Sequence, residues 1–299
     1  MLHISLAAET IAHIGSFPIT NSLALTWFVM AILIVISVSI SRNTKLIPSN
    51  GQSIMEVLVE GLYTFFESVV GSHQVKQLFA LIASLFLFIL VSNWIGLVPG
   101  VGTIGFFHKA ENKEVVAHET VAVEEVAITH TEEVAVTHDE APVVDDATVA
   151  MHENVETEVE ATGAHESETK FVPLFRGPTA DLNTTIALAL IAFVAIQYFG
   201  FKTLGIHYGE RFINVKNPIM AFVGILEIIS DISKVISFAF RLFGNVFAGE
   251  VLLAVMAFLM PFIAPMPFLA LELFVGFIQA LVFSTLTAVF VNVAVAHEG

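Results

Sequence analysis

The sequence contains no cysteine, which excludes disulfides, thiol catalysis and cysteine metal sites. Charged residues fill only 13% of the 299 positions, and lysine plus arginine number 12, so no basic surface suited to nucleic acid is expected. Nothing resembles a phosphate-binding glycine loop, and a nucleotide site of that kind is not expected either. The N-terminus lacks a basic n-region and an obvious cleavage site, so residues 22–40 read as a retained span and not as a removed signal peptide. The two halves share no repeat, whereas a stand-alone ion or secondary transporter built around paired broken helices would carry one.

What the chain has in abundance is apolar surface. Hydrophobic residues make up 56% of it, including 27 phenylalanines, too much for a water-soluble domain. The expected class is an all-α polytopic membrane protein. The formal charge of −16 is concentrated in one segment: residues 108–170 hold 17 of the 28 acids and 3 of the 12 bases, a net −14 that leaves −2 elsewhere. Runs of about 20 apolar residues, long enough to cross the hydrocarbon core, occur at 22–40, 78–98 and 183–201. Longer apolar stretches follow at 217–260 and 266–296, giving five expected spans, the last two long and tilted.

Between the first two runs, "GQSIMEVLVEGLYTFFESVVG" sets Glu56, Glu60 and Glu67 opposite Leu58, Leu62, Phe65, Phe66 and Val69 at helical spacing. That pattern predicts an amphipathic helix lying along the membrane interface. Basic residues orient the chain. Arg42 and Lys45 follow the first span, Lys76 precedes the second, and Lys202, Arg211 and Lys216 follow the third. By the positive-inside rule these loops face inward, which puts the N-terminus and the 99–182 loop outside and the C-terminus inside. The organisation expected is therefore an N-terminal part at 1–104, an acidic outer insertion at 105–171 and a membrane core at 172–299.

The insertion carries a near-repeat, "EEVAITHT" at 124–131 and "EEVAVTHD" at 132–139, whose even period preserves strand alternation. Three readings stay open: a disordered acidic loop, a small patch of strands, or a metal site from His118, His130, His138 and His152. His13 and His207 read as interfacial residues beside helix ends.

Most informative is "SFAFRLFGNVFAGEVLLAVMAFLM" at 237–260, where Arg241 and Glu250 interrupt an apolar helix. A guanidinium at bilayer depth costs at least ~3 kcal/mol, so it persists where it has a task or a partner. Glu227, Lys234 and Arg241 recur every seven positions and fall within about 40° of one another on a helix, with Ser230 and Asn245 beside that line. Glu272 and Gln279 repeat the seven-residue spacing on the last helix. Glu250 lies half a turn round from Arg241 and roughly 13 Å further along the axis, so it faces other surroundings. Arg241 has no carboxylate at i±3 or i±4, and its counter-charge must come from another helix or another chain. Interhelical hydrogen bonds and buried ion pairs that merely hold helices together are the simpler explanation for such groups.

At these residues the chain resembles a known family, subunit a of the rotary F-type ATP synthases. "FRLFGNVFAGE" at 240–250 is similar to its most characteristic motif, and "NWIGLVPG" at 93–100, "PTADLNTT" at 178–185, "EIISDISKVISFAFRLFGN" at 227–245 and "IQALVFSTLTAVF" at 278–290 follow in family order. "HIGSFPITNS" at 13–22 resembles the approach to the first helix. The likeness covers nearly all of the chain except 105–171. Some members carry histidine where this chain has Glu272.

The resemblance implies a proton-conducting stator subunit with no catalytic site of its own and no cofactor or metal. Its partners would be the c-ring, the b-subunit peripheral stalk and the lipid bilayer, with protons as the transported ion. Arg241 would be the essential stator charge, facing the ion-carrying carboxylate of each passing c-subunit. Glu250, Glu272, Asn245 and Gln279 would serve the outer half-channel, approached past Asp181 and Asn183. Glu227, Ser230 and Lys234 would serve the inner one, with Lys234 pairing to Glu227 or reaching water, and Asp231 either lining that channel or lying at the surface. A bacterial inner membrane is the expected location, an organelle membrane the alternative.

Overall fold

The computed structural model describes residues 8–42, 50–98, 100–102, 104–109, 169–205, 207–210, 212, 218–260 and 263–295. Residues Met1–Phe107 and Phe171–Gly299 form one compact unit. A second unit, His108–Lys170, has only His108, Lys109, Thr169 and Lys170 among the described residues. The near-repeat and the four insertion histidines therefore lie outside the described residues.

The chain opens with a hairpin of β1 (Thr10–Ile14) and β2 (Phe17–Thr20), paired antiparallel. Its turn uses Gly15 at φ 63°, a left-handed conformation that glycine adopts without a Cβ clash. Helix α1 (Asn21–Arg42) follows directly. Its buried residues, Asn21, Ser22, Leu25 and Val29, all fall in its first half, and the rest of its apolar surface is open. Helix α2 (Asn50–Val70) is the predicted amphipathic segment. Phe66 and Val70 on its apolar side are buried, whereas Glu56 and Glu60 on the other are exposed. Gly71, at φ 85°, separates it from α3 (Ser72–Gly96).

Beyond its polar first turns, which carry His73, Gln74, Lys76 and Gln77, helix α3 is largely apolar all round, yet it buries Val75, Leu78, Ile82, Leu85, Phe86, Ile89 and Asn93, one stripe at three- and four-residue intervals. Beyond it, β3 (Gly105–Lys109) and β4 (Thr169–Pro173) make a second two-stranded sheet. A 3₁₀ turn at Pro178–Ala180 leads into α4 (Leu182–Leu204). Asp181 caps that helix by accepting from the Asn183 backbone N–H at 3.0 Å, and Gly205 at φ 60° ends it. The short α5 (His207–Glu210) lays the Tyr208 ring on Gly200, where a Cβ would come within 2.6 Å of the ring.

Helices α6 (Pro218–Leu259) and α7 (Pro265–Val295) complete the fold. With 42 residues α6 is about 63 Å long, roughly twice the hydrocarbon thickness, so it must tilt strongly or extend beyond the bilayer. Proline at the first position suits each helix start, where the N–H has no partner to lose. Five helices, α1, α3, α4, α6 and α7, are long and apolar enough to cross a membrane. The protein is an all-α polytopic membrane protein.

Two clusters hold the bundle together. Phe86, Ile89, Leu242 and Phe283 pack around Ala189, Ala192, Ala239 and Ala280. Those alanines let backbones approach closely, which is how helices associate in lipid, where no hydrophobic drive separates them from the solvent. Phe66, Val75, Leu78, Ile82, Tyr208 and Val291 form the other and fasten α2 and α5 to the spans. Much of α6 stays bare: Phe222, Ile225, Ile229, Ile232, Ile236 and Phe240 are all more than half exposed. Apolar surface on that scale needs lipid or a partner to cover it.

Candidate functional site

The starts of α1 and α4 meet the end of α3 at one end of the bundle, and there polar groups converge. The Ser22 hydroxyl donates to Asp181 Oδ2 at 2.6 Å, both groups being buried. With its other oxygen engaged at the α4 cap, Asp181 joins α1 to α4. Asn183, two residues on, is exposed. Thr179 donates to Asn93 Oδ1 at 2.7 Å, and Asn93 Nδ2 donates to the Gly276 carbonyl at 3.0 Å, so three elements are joined through one buried amide. Trp94 Nε1 adds a bond to the Leu273 carbonyl at 3.0 Å. These bonds set the register of α7 against α3, and with it the height of Glu272.

Glu272 of α7 and Glu250 of α6 line one small cavity of about 20 Å³, together with Ser92, Asn93, Gly96, Leu97, Gly177 and Val246. Arg176, in the segment after β4, reaches Glu250 with Nε 3.7 Å from Oε2. Its side chain is only 11% exposed against 35% for Glu250, so the pair is partly withdrawn from solvent and screening. Glycines make the room. A Cβ on Gly249 would run into the Glu272 carboxyl group, and one on Gly177 would stand 3.2 Å from Glu250 Oε1. Ser92 is fully buried, and among the described residues its hydroxyl has no hydrogen-bond partner. Left so, a hydroxyl costs about 1–3 kcal/mol.

Arg241 sits elsewhere. It lines an open groove of about 300 Å³ formed by Ser230, Ser233, Lys234, Ser237 and Phe238 of α6 with Leu286 and Phe290 of α7. Its guanidinium is exposed and donates to Ser237 Oγ at 3.3 Å, and among the described residues no carboxylate forms an ion pair with it. Lys234, in the same groove, is tied down: its ammonium lies 2.6 Å from Asp231 Oδ1 and 5.2 Å from the centre of the Phe290 ring. Asp231 is buried and also accepts from Gln197 Nε2 at 2.9 Å. Of the two partners open to Lys234 in the sequence, neither is therefore needed for this contact; the acid three residues before it provides it, and Asp231 is an interhelical anchor between α4 and α6.

The structure thus brings Glu250 and Glu272 together, and separately Arg241, Lys234 and Ser230. Asn245, exposed on α6, and Gln279, half-buried on α7, line neither space, and the same holds for Glu227, which is half-buried on α6. His13 is exposed in β1. Sequence reasoning passed over Ser92, Asn93, Arg176, Gly177, Ser233, Ser237 and Gly249 as site residues. Ser230, Ser233, Ser237 and Arg241 lie at helical intervals of three and four, a stripe that was legible. Ser92 and Asn93 are adjacent polar residues in the last turns of an apolar span, a weaker signal.

A model of the family described as ATP synthase A chain matches residues 23–292, a range that includes both spaces and every residue lining them. The chain belongs to the ATP synthase A chain family. It is 28% identical to the ATP synthase subunit a of Trichlorobacter lovleyi over 292 residues, covering 97% of this chain and 93% of that one. Membership ties the chain to ATP synthesis and proton transport in a membrane. For an ATP synthase A chain, a paired carboxylate site and a cation without an ion-paired carboxylate among the described residues are the two features with chemical consequences.

Proposed function

We propose that this chain is the proton-conducting stator subunit of its ATP synthase, offering two offset half-channels to the carboxylates of a rotating c-ring. The observation that carries this reading is the division of charge along α6. Arg241 is exposed in a groove without an ion-paired carboxylate among the described residues, while Glu250, half a turn round and roughly 13 Å further on, shares a cavity with Glu272.

A guanidinium cannot lose its proton in a protein, so Arg241 is a permanent positive charge. A carboxylic acid that comes beside it on a neighbouring subunit is driven to ionise, and its proton leaves. The same charge repels hydronium, so a proton cannot pass straight from one half-channel to the other. It crosses by riding the ring. Each elementary charge carried down 100 mV yields about 2.3 kcal/mol, and several are needed for one ATP.

In this scheme Glu250 and Glu272 exchange protons on the outer side, with Asn245 and Gln279 between them and the ring and with Asp181 and Asn183 near the channel mouth. Glu227, Ser230 and Lys234 stand on the inner side, joined by Ser233 and Ser237. The exposed apolar faces of α6 and α1 meet the c-ring, the b-subunit stalk and lipid. The N-terminus and the 105–171 insertion face outward and the C-terminus inward, in a bacterial inner membrane.

Replacing Arg241 with Ala tests the proposal. Proton-driven ATP synthesis in vesicles is expected to disappear, and retained synthesis would refute the role. Co-purification of an intact rotor ring with the tagged chain separates this reading from a stand-alone transporter.

A further inference from the structure

The buried hydroxyl of Ser92 takes no part in the scheme above. Serines and threonines inside apolar helices usually donate back to a carbonyl three or four residues earlier, as Ser84 does to Leu81, Ser233 to Ile229 and Ser284 to Ala280. Ser92 makes no such bond, although it is in the last turns of α3 and has no exposed surface. It lines the cavity shared by Glu250 and Glu272.

That cavity measures about 20 Å³, and one water needs roughly 10–15 Å³ and two to four polar partners. Besides Asn93, whose amide is already bonded to Thr179 and Gly276, the walls offer three: the Ser92 hydroxyl from α3, the Glu250 carboxyl from α6 and the Glu272 carboxyl from α7. Arg176 is the charged group beside them, paired to Glu250 from the segment after β4. Gly96 and Gly177, having no side chains, leave the space open. A site with this volume and these partners suits one water and excludes larger solutes.

We propose that Ser92 holds a single relay water between Glu250 and Glu272, making it a further residue of the outer proton pathway. The inference rests on the half-channel reading given above. The protonated carboxyl of one glutamate gives its proton to the water as the water gives another to the carboxylate of the second. One O–H bond breaks and one forms at the water, each carboxyl changes by one proton, and the water is regenerated. Ser92 keeps its own proton throughout. Its hydroxyl orients the water so that one lone pair faces the donor and one hydrogen faces the acceptor.

The test uses the complete ATP synthase reconstituted in lipid vesicles, comparing Ser92→Ala, Ser92→Val and Glu250→Gln with wild type. ATP-driven proton pumping is read per assembled complex in H2O and in D2O. Ser92→Ala, which removes the hydroxyl and little else, is expected to slow pumping about fivefold, the factor one net hydrogen bond is worth. Its H2O/D2O rate ratio is expected to rise, because the proton hop becomes slower than the steps around it. Ser92→Val, which puts methyl groups where the water sits, is expected to slow pumping further. Wild-type pumping by both Ser92 variants while Glu250→Gln is inactive would overturn the relay and leave the half-channel standing. Wild-type pumping by Glu250→Gln would instead overturn the half-channel, and the relay with it. Slower pumping by Ser92→Ala with an unchanged isotope ratio would assign the hydroxyl to packing and also overturn the relay.

Discussion

Gly249→Ala is the most demanding test of the carboxylate geometry. The added methyl would meet the carboxyl carbon and both oxygens of Glu272, all well under 3.0 Å, where ordinary contact begins at 3.4 Å. The carboxyl group must therefore retreat by roughly 1 Å or swing to another rotamer; overpacking of this kind costs about 1–3 kcal/mol. That range corresponds to about 5- to 150-fold in a rate or an equilibrium. A misplacement of about 1 Å in a reacting group costs up to roughly 100-fold, which falls inside the same range. Glu272 is half-buried and not locked in the core, so assembly of the complex is expected to survive while conduction falls. Passive proton flux through the reconstituted membrane sector, driven by a potassium diffusion potential and normalised to complex content, measures it. Shortening the acid in the same chain, Gly249→Ala with Glu272→Asp, draws the carboxyl back by about 1.5 Å and is expected to recover part of the flux. Wild-type flux from Gly249→Ala alone, at equal complex content, would refute the claim that this glycine makes room for a working carboxyl.

Other predictions concern the groups that hold the site. Asn93→Leu removes both the acceptor for Thr179 and the donor to the Gly276 carbonyl; it is expected to destabilise the protein by about 2–3 kcal/mol, read as a lower unfolding midpoint in detergent. Ser22→Ala strips Asp181 of a buried bond at 2.6 Å and is expected to cost about 1.5–3 kcal/mol by the same assay. Asp231→Asn weakens the hold on Lys234 while keeping an acceptor for Gln197, and a lower unfolding midpoint in detergent is the expected sign of a loosened α4–α6 contact. Deleting residues 110–168 is expected to leave ATP synthesis intact near neutral pH and to reduce it at alkaline outer pH if the acidic insertion collects protons; unchanged synthesis at both would end that idea.

Much of the fold was legible before any coordinates. Five runs of apolar residues can satisfy their backbone groups in lipid only as helices, so their number and approximate limits follow from length and hydropathy alone. The amphipathic α2 was equally plain, because its acids and its Leu62, Phe66 and Val69 separate on a 3.6-residue period. Helical spacing also placed Arg241 and Glu250 on opposite sides of α6. Contacts between helices were not legible. Nothing local pairs Ser22 with Asp181 across 159 positions, or Asn93 with Gly276 across 183. Lys234 illustrates the same limit at short range: the sequence offered it Glu227 or water, and the fold pairs it with Asp231, which is buried and also holds Gln197 of α4.

The sequence by itself determined the membrane class, the number of spans and the isolation of one arginine from any acid one turn away on its own helix, since each depends on composition or on the fixed pitch of a helix. Only the tertiary structure decided which polar residues share a space. Packing α3, α6 and α7 at one end brings Ser92, Glu250 and Glu272 around a cavity no wider than a water, and three glycines with no pattern of their own keep it open. Side chains on different helices meet according to crossing and register, and those are set by bulk and by buried hydrogen bonds between residues far apart in the chain.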